Sequence, residues 1–316
     1  MSRGADSLAG TLARALDWVA TSSWLLAAAL ALAFFWRLGA VPLYDLDEGA
    51  FTEATREMIV GGDYITPQKD GEPRYDKPVL IYWLQALSTR VFGFNELALR
   101  LPSALAATQW VLVLWLFVRE RLDAPTATVA GLVMALSLQV SLIAKAAVAD
   151  ALLNLFIALT FFEIYRYFEI SRQSAATGTT DRAEGRSGRR LVWRAYLWMA
   201  LGFLTKGPVA VFFPLVVSLL FFWSQGDLRR WVQAVLAPMG WLIFLLVAGP
   251  WYLAIYLDDG PGFFQSFFLK HNAGRFGEAM HGHGGFFGYY LVLLPVILLP
   301  FSGWLLRLLP GIRAAW

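Results

Sequence analysis

The chain has 316 residues, 58% of them hydrophobic and only 16% charged, with a net charge of +3 and no cysteine. That apolar share exceeds what a soluble globular domain carries. Several runs reach the roughly 20 apolar residues needed to cross a hydrocarbon core, so the composition excludes an ordinary soluble enzyme and points to an all-α, polytopic membrane protein. The runs are continuous, whereas barrel strands alternate. Without cysteine there is no disulfide framework, thiol nucleophile or thiolate metal site.

Residues 1–22 read as an amphipathic lead. The apolar run after them continues to Val41 without a small-residue cleavage pattern, so 23–41 reads as a first span and not as a signal peptide. A polar loop, 42–95, follows and is expected to carry short interfacial helices. Spans are expected at 96–121, 126–144 and 151–168, the last two separated by a tight corner holding Lys145 and Asp150. The stretch 169–190 is rich in Ser, Thr, Gly and Arg and reads as a flexible loop. Residues 191–223 read as two helices turning at Thr205-Lys206-Gly207-Pro208, because Gly-Pro breaks a helix and lysine avoids the bilayer centre. A seventh span (232–257), a polar loop (258–285) and an eighth span (286–309) complete the series.

With the N-terminus in the cytoplasm, Arg119, Arg121, the run from Arg166 to Arg194, Arg229, Arg230, Arg307 and Arg313 all fall inside, as the positive-inside rule requires. The polar island, the Lys145/Asp150 corner, the Lys206 turn and the last loop then share the outer face. That is where a site can assemble.

The island runs YDLDEGAFTEATREMIVGGDYITPQKDGEPRYDKPVLIYW from Tyr44 to Trp83. Asp47 and Glu48 at a membrane boundary need a partner or a task. Glu53 and Glu57, at i, i+4 on a short helix, fit solvated acids equally well. Lys77 precedes Pro78, Tyr82 and Trp83, an arrangement suited to holding a lipid phosphate with the rings at the interface; simple snorkelling to any phospholipid is the competing account. The last loop holds His271, His281 and His283 with Glu278 and Arg275, which suits metal binding or acid-base work, without a helix-borne zinc pattern. No Gly-rich phosphate loop follows a strand, so neither a nucleotide cofactor nor a nucleic acid partner is expected.

The stretch LDEGAFTEATREMIVGGDYITPQKDGEPRYDKPVLIYWLQ, followed by FGFNELALRLPSAL, VADALLN, LTKGP and HNAGRF, resembles the bacterial GT-C glycosyltransferases related to protein O-mannosyltransferases, especially the aminoarabinose transferases that modify lipid A. The resemblance implies a GT-C helical bundle of about eight spans, 1–316 forming one catalytic module in the bacterial inner membrane. It implies inverting transfer of a sugar from a polyprenyl-phosphate donor to a periplasmic acceptor: lipid A, another glycan or a protein. By the same resemblance Asp47 is the general base, and Glu48 beside it in the acidic pair is the second catalytic residue. Lys77 and Arg275 contact the lipid phosphate, Tyr82, Asp150 and Lys206 belong to the substrate site, and Asp76 with His271 resembles a divalent metal site. Three departures stand out. Gly49-Ala50-Phe51 replaces the arginine and tyrosine usual after the acidic pair, which leaves the sugar open; Asp76 replaces a glutamate; and the further helices and periplasmic domain of the family are expected to be absent. A lipid flippase without chemistry is the alternative, although such a protein should carry charge at mid-membrane.

Overall fold

The computed structural model describes residues 22–44, 47–177, 182–267, 288–304 and 307, and helices make up most of them. The first apolar run forms α1 (Ser23–Leu30), capped by the Ser22 hydroxyl, which accepts the Leu25 N–H, and continues as one π-helical turn at Ala31–Phe35. This helix ends at Phe35, short of the Val41 expected from the sequence, and Arg37 follows it with φ 55°. The amphipathic lead lies outside the described residues.

The island folds as α2 (Asp47–Gly61), a small hairpin of β1 (Gln68–Lys69) and β2 (Glu72–Pro73), and α3 (Leu80–Phe92). Two acids in the first turn of α2 complement its dipole. Then comes α4 (Glu96–Arg121), N-capped by Asn95, with Arg119 and Arg121 in its last turn as predicted. The third predicted span is not one helix. It divides into α5 (Ala124–Leu136) and α6 (Leu138–Ala144), bent by 66°. Ser137 is extended there, its hydroxyl donates to the Val133 carbonyl at 2.6 Å, and the Leu138 N–H finds the Leu299 carbonyl at 2.9 Å.

The expected flexible loop at 169–190 is mostly helix: α7 (Asp150–Thr177) and α8 (Arg182–Lys206) run through it from both sides. The Ser/Gly count misled because Arg, Ala, Gln and Glu, strong helix formers, alternate with those residues. Charged contacts hold the α7 extension, with Arg121 paired to Glu169 and Arg172 donating to Gln225 at 3.3 Å. The turn expected after Lys206 is present, and α9 (Val209–Ser224) follows it. The seventh span also needs correction. Residues 228–235 form a separate amphipathic helix, α10 (Leu228–Val235), and the long helix α11 (Pro238–Asp259) begins only after extended Ala237, with Pro238 at its first position. A short α12 (Gly262–Phe264) and α13 (Tyr289–Ile297), the longest described helical piece of the expected eighth span, end the series.

By length and composition, Glu96–Arg121, Asp150–Gln173 and Pro238–Asp259 can cross a membrane, the bent α5–α6 pair counts as a fourth, and Ser23–Phe35 and Val209–Ser224 are shorter apolar helices. Eight spans stay an expectation from the sequence. Bare leucines on α4 (Leu105, Leu112, Leu116) and α11 (Leu245, Leu246, Leu253) are what a helix facing hydrocarbon presents. Inside, one cluster packs α1 and α4 to α7 around Phe34, Val111 and Leu155. A second packs the island onto α8, α11 and α12 around Tyr82, Trp251 and Phe263. It is this second cluster that fixes the island to the bundle.

Gly207 carries the α8–α9 turn at φ 75°, and a Cβ there would overlap the Phe267 ring. Gly207→Ala is therefore expected to lower the melting temperature by several degrees, about 1–2 kcal/mol from the left-handed backbone before any clash. A thermal melt in detergent reads this directly.

Candidate active site

The site is built on a buried break in the bundle. Between α6 and α7 the backbone leaves the helix, and Ala147, Val148 and Ala149 lie at 0%, 8% and 0% exposure, so their polar groups need partners. The Ala147 N–H goes to Glu48 Oε1 at 2.6 Å, its carbonyl accepts from Gln85 Nε2 at 3.1 Å, and the Val148 carbonyl accepts from Ser103 at 3.0 Å. Gln85 also donates to the Leu99 carbonyl at 3.2 Å and accepts from the Thr55 hydroxyl at 2.6 Å. One amide thus joins α2, α3, α4 and the break.

Glu48 has a second role in the same clasp. Arg100 donates to both of its oxygens, at 2.8 and 2.7 Å, and the Tyr44 N–H approaches Oε2 at 2.8 Å. The remaining Arg100 hydrogens go to the carbonyls of Leu38, Val41 and Pro42 at 2.7 to 3.0 Å. Burial pushes the Glu48 carboxyl upward, but Arg100 and the two backbone N–H groups outweigh it and hold the group below its ordinary value. With its oxygens occupied, Glu48 is placed to position its neighbour. That neighbour, Asp47, is exposed in the first turn of α2.

Four residues on, Phe51 stacks on Tyr82 with centroids 5.7 Å apart, and the Arg74 guanidinium lies 5.3 Å over the Phe51 ring. Arg74 donates to the Tyr82 hydroxyl at 3.2 Å and to Asp76 Oδ2 at 3.0 Å. Lys77 Nζ meets the other oxygen of Asp76 at 2.7 Å. Two corrections follow. Tyr82 is not an interfacial ring: it is fully buried, and burial pushes its phenol up to about 12. Nor does Lys77 snorkel, since only 11% of its side chain is exposed. Trp83, the other expected anchor, donates its indole N–H to the Tyr64 carbonyl at 2.8 Å.

Asp150, at the start of α7, holds Lys206, at the end of α8, at 2.6 Å, each charge at the helix end that favours it. The far side of the island is pinned to α11: the Trp251 indole donates to the Ile65 carbonyl at 2.9 Å, and the Thr66 hydroxyl lies 3.0 and 2.8 Å from Asp258 and Asp259. The island, the break before α7, the Lys206 turn and the described start of the last loop, at Asp258 and Asp259, are therefore linked contact by contact.

Glu53 and Glu57, half-buried, and exposed Asp70 form an acidic group in which one carboxylate oxygen from each lies within 4.8 Å of the others. Glu57 receives the N–H groups of Asp70 and Gly71 at the hairpin tip, and Glu53 is paired with Arg56 at 2.6 Å. Both are accounted for by local structure. Asp76, expected as a metal ligand, has its oxygens on Arg74 and Lys77. His271 and Arg275, with His281, His283 and Glu278, lie outside the described residues.

Arg100 and Gln85 were missed in the sequence. Arg100 had a signal, as a charge inside the apolar run ELALRLP requires a partner; Gln85 had none, since its contacts come from distant segments.

The description "Dolichyl-phosphate-mannose-protein mannosyltransferase" belongs to the family model that matches residues 76–253, more than half of the chain. The chain belongs to that family. Relatives of this mannosyltransferase-family chain include an undecaprenyl phosphate-alpha-4-amino-4-deoxy-L-arabinose arabinosyl transferase of Edwardsiella ictaluri, 31% identical over 87% of this chain and 47% of its own length. A transferase of the same description in Aeromonas hydrophila is 30% identical over 87% and 47%. An uncharacterized protein of Aquifex aeolicus is 30% identical over 84% and 61%. The fold matches ArnT from Cupriavidus metallidurans, solved with undecaprenyl phosphate and in the apo state. Both match with a TM-score of 0.77, at 23% and 24% identity, over 92% and 96% of this chain and 51% and 52% of ArnT. The chain spans about half the length of the arabinosyl transferases it matches. As a member of this family with apolar helices of spanning length, it is a multi-pass membrane protein.

Proposed function

We propose that 1–316 acts as one transmembrane module of an inverting glycosyltransferase, moving a sugar from a polyprenyl-phosphate donor to a periplasmic acceptor such as lipid A, another glycan or a protein. The reading is carried by one juxtaposition. An arginine and a lysine share Asp76, largely withdrawn from water, and the arginine lies over Phe51 of the helix whose first turn presents Asp47. The family match and the arabinosyl transferase relatives support it. Asp47 takes the proton of the acceptor hydroxyl as that oxygen attacks the anomeric carbon. The bond from this carbon to the phosphate oxygen breaks, the polyprenyl phosphate leaves, and Lys77, with Arg275 from the last loop, balances the charge that builds on it. No nucleotide is needed, because the sugar arrives already activated. The apolar tail binds through the membrane, so the polar rim is left to select the sugar.

A divalent ion on Asp76 and His271 belongs to the same proposal, with a condition set by the geometry: Asp76 must release Arg74 or Lys77 to bind it. When bound, the ion would supply further positive charge to the phosphate. Metal analysis of the purified chain and of Asp76→Ala tests this without an activity assay.

The transfer itself is tested in proteoliposomes with a labelled polyprenyl-phosphate sugar and envelope acceptors. Product that depends on the chain is expected; donor translocation without product would favour a flippase. Lys77→Ala is expected to raise KM for the donor at least about tenfold, the worth of one charge-assisted contact. Lys77→Arg should restore only part of this, because the planar guanidinium cannot copy the point charge.

A further inference from the structure

Arg74 is fastened on three sides. Its Nε–H donates to the Tyr82 hydroxyl at 3.2 Å, its Nη2 donates to Asp76 Oδ2 at 3.0 Å, and the guanidinium carbon lies 5.3 Å from the centre of the Phe51 ring. Nε and Nη2 form one edge of the planar group, so these two bonds leave the other edge, Nη1 with the second hydrogen of Nη2, unspent. Nη1 has no hydrogen-bond partner among the described residues. Nor is it among the buried atoms that lack one, so it reaches solvent although the side chain is only 15% exposed. Nearby arginines differ. Arg100 gives its hydrogens to Glu48 and three backbone carbonyls, and Arg56 is exposed and paired with Glu53.

The charges around this edge favour an anion. Asp76 lies between Arg74 and Lys77, and the three side chains sum to one positive charge. The start of α2 adds no cation, since Gly49, Ala50 and Phe51 follow the acid pair.

We propose that Arg74 binds the phosphate of the lipid-linked donor through its unspent edge, as a second arm beside Lys77. The assignment rests on the reaction proposed above. Such an edge presents two parallel N–H groups to two oxygens of one phosphate. Because Arg74 and Lys77 share one carboxylate, a single phosphate group can touch both. As the bond from the anomeric carbon to the phosphate oxygen breaks, its electron pair stays on that oxygen and the acceptor proton goes to Asp47. The phosphate then passes from one negative charge toward two. An arm already fixed by Tyr82, Asp76 and Phe51 meets that charge without rearranging.

Phenylglyoxal, which modifies guanidinium groups, tests this on the full chain in lipid nanodiscs without a sugar-transfer assay, the rate at residue 74 being read by peptide mass spectrometry. Farnesyl phosphate is expected to slow the modification of Arg74 several-fold. Farnesol should not, and inorganic phosphate at the same concentration should do so far less, because it lacks the apolar tail. Arg74→Lys keeps the charge beside Asp76 but not the edge. It should weaken farnesyl phosphate binding about tenfold, the worth of one charge-assisted contact, with a melting temperature close to that of the parent. Modification that farnesyl phosphate does not slow, equal protection by farnesol or by inorganic phosphate, or unchanged affinity in folded Arg74→Lys would overturn the proposal. The labelling needs no variant, so it decides the question even if Arg74→Lys does not fold. Protection by farnesyl phosphate in a chain that transfers no sugar would keep Arg74 as a phosphate ligand and remove the reaction instead.

Discussion

Asp47→Asn is expected to abolish sugar transfer while leaving donor binding intact. Asparagine keeps the size and polarity of the side chain but cannot take a proton, and a positioned general base contributes about 10²–10⁴-fold. The loss should fall in kcat, with KM for the donor nearly unchanged, because Lys77 and Arg74 are untouched. The helix should persist as well, since Asp47 is exposed and the clasp beneath it belongs to Glu48. Glu53→Gln is the control: it disturbs a surface pair and should retain activity. Transfer retained in Asp47→Asn would remove Asp47 as the base. Loss of donor binding would instead make it a binding residue.

Breaking the Glu48–Arg100 clasp should have the largest effect on stability. Arg100→Leu leaves a buried carboxylate facing two N–H groups without its counter-ion, and removing one partner of such a pair costs about 3–5 kcal/mol. Glu48→Gln should also destabilise, because the amide oxygen replaces only one of the two acceptors and the amide NH2 then faces a backbone N–H and an Arg100 N–H. The same clasp predicts a pH dependence. Folding holds the Glu48 carboxyl below its ordinary 4.5, so its contribution is complete above that value and fades as the pH falls through the lower, folded pKa. Melting of the parent chain should therefore drop on the acid side, and the Glu48→Gln variant should lack that component. An equal acid-side drop in both proteins would assign the loss to other groups.

The helical, membrane-spanning class was legible because hydrocarbon length and uncharged runs are local properties. So was the turn at Gly207, where Lys206, Gly207 and Pro208 act together. Other features depend on contacts that no window displays. Ser137 looks like an ordinary helix residue, yet its backbone opens where Leu299 offers a carbonyl. The residues after Phe168 look like a linker, although helix formers outnumber the glycines and Glu169 has a distant arginine partner. In the site, the acid pair, Lys77 and the Asp150–Lys206 neighbourhood could be read from charges at span ends. The division of labour within the acid pair could not: Glu48 differs from Asp47 only because Arg100 and Ala147 come to it from far along the chain.

The buried break before α7 limits how the rim bearing Asp47 and Asp150 can form. The carboxylate that secures it is adjacent to Asp47, and the next helix begins with Asp150, so neither end of the rim can reach its final place while the other is loose. Assembly should be cooperative, and the Ala147 amide should be among the slowest to exchange its hydrogen. A substitution in this uncharged stretch, Ala147 or Ala149 to a larger side chain, would then disable the proposed transfer from a place that holds no reactive group.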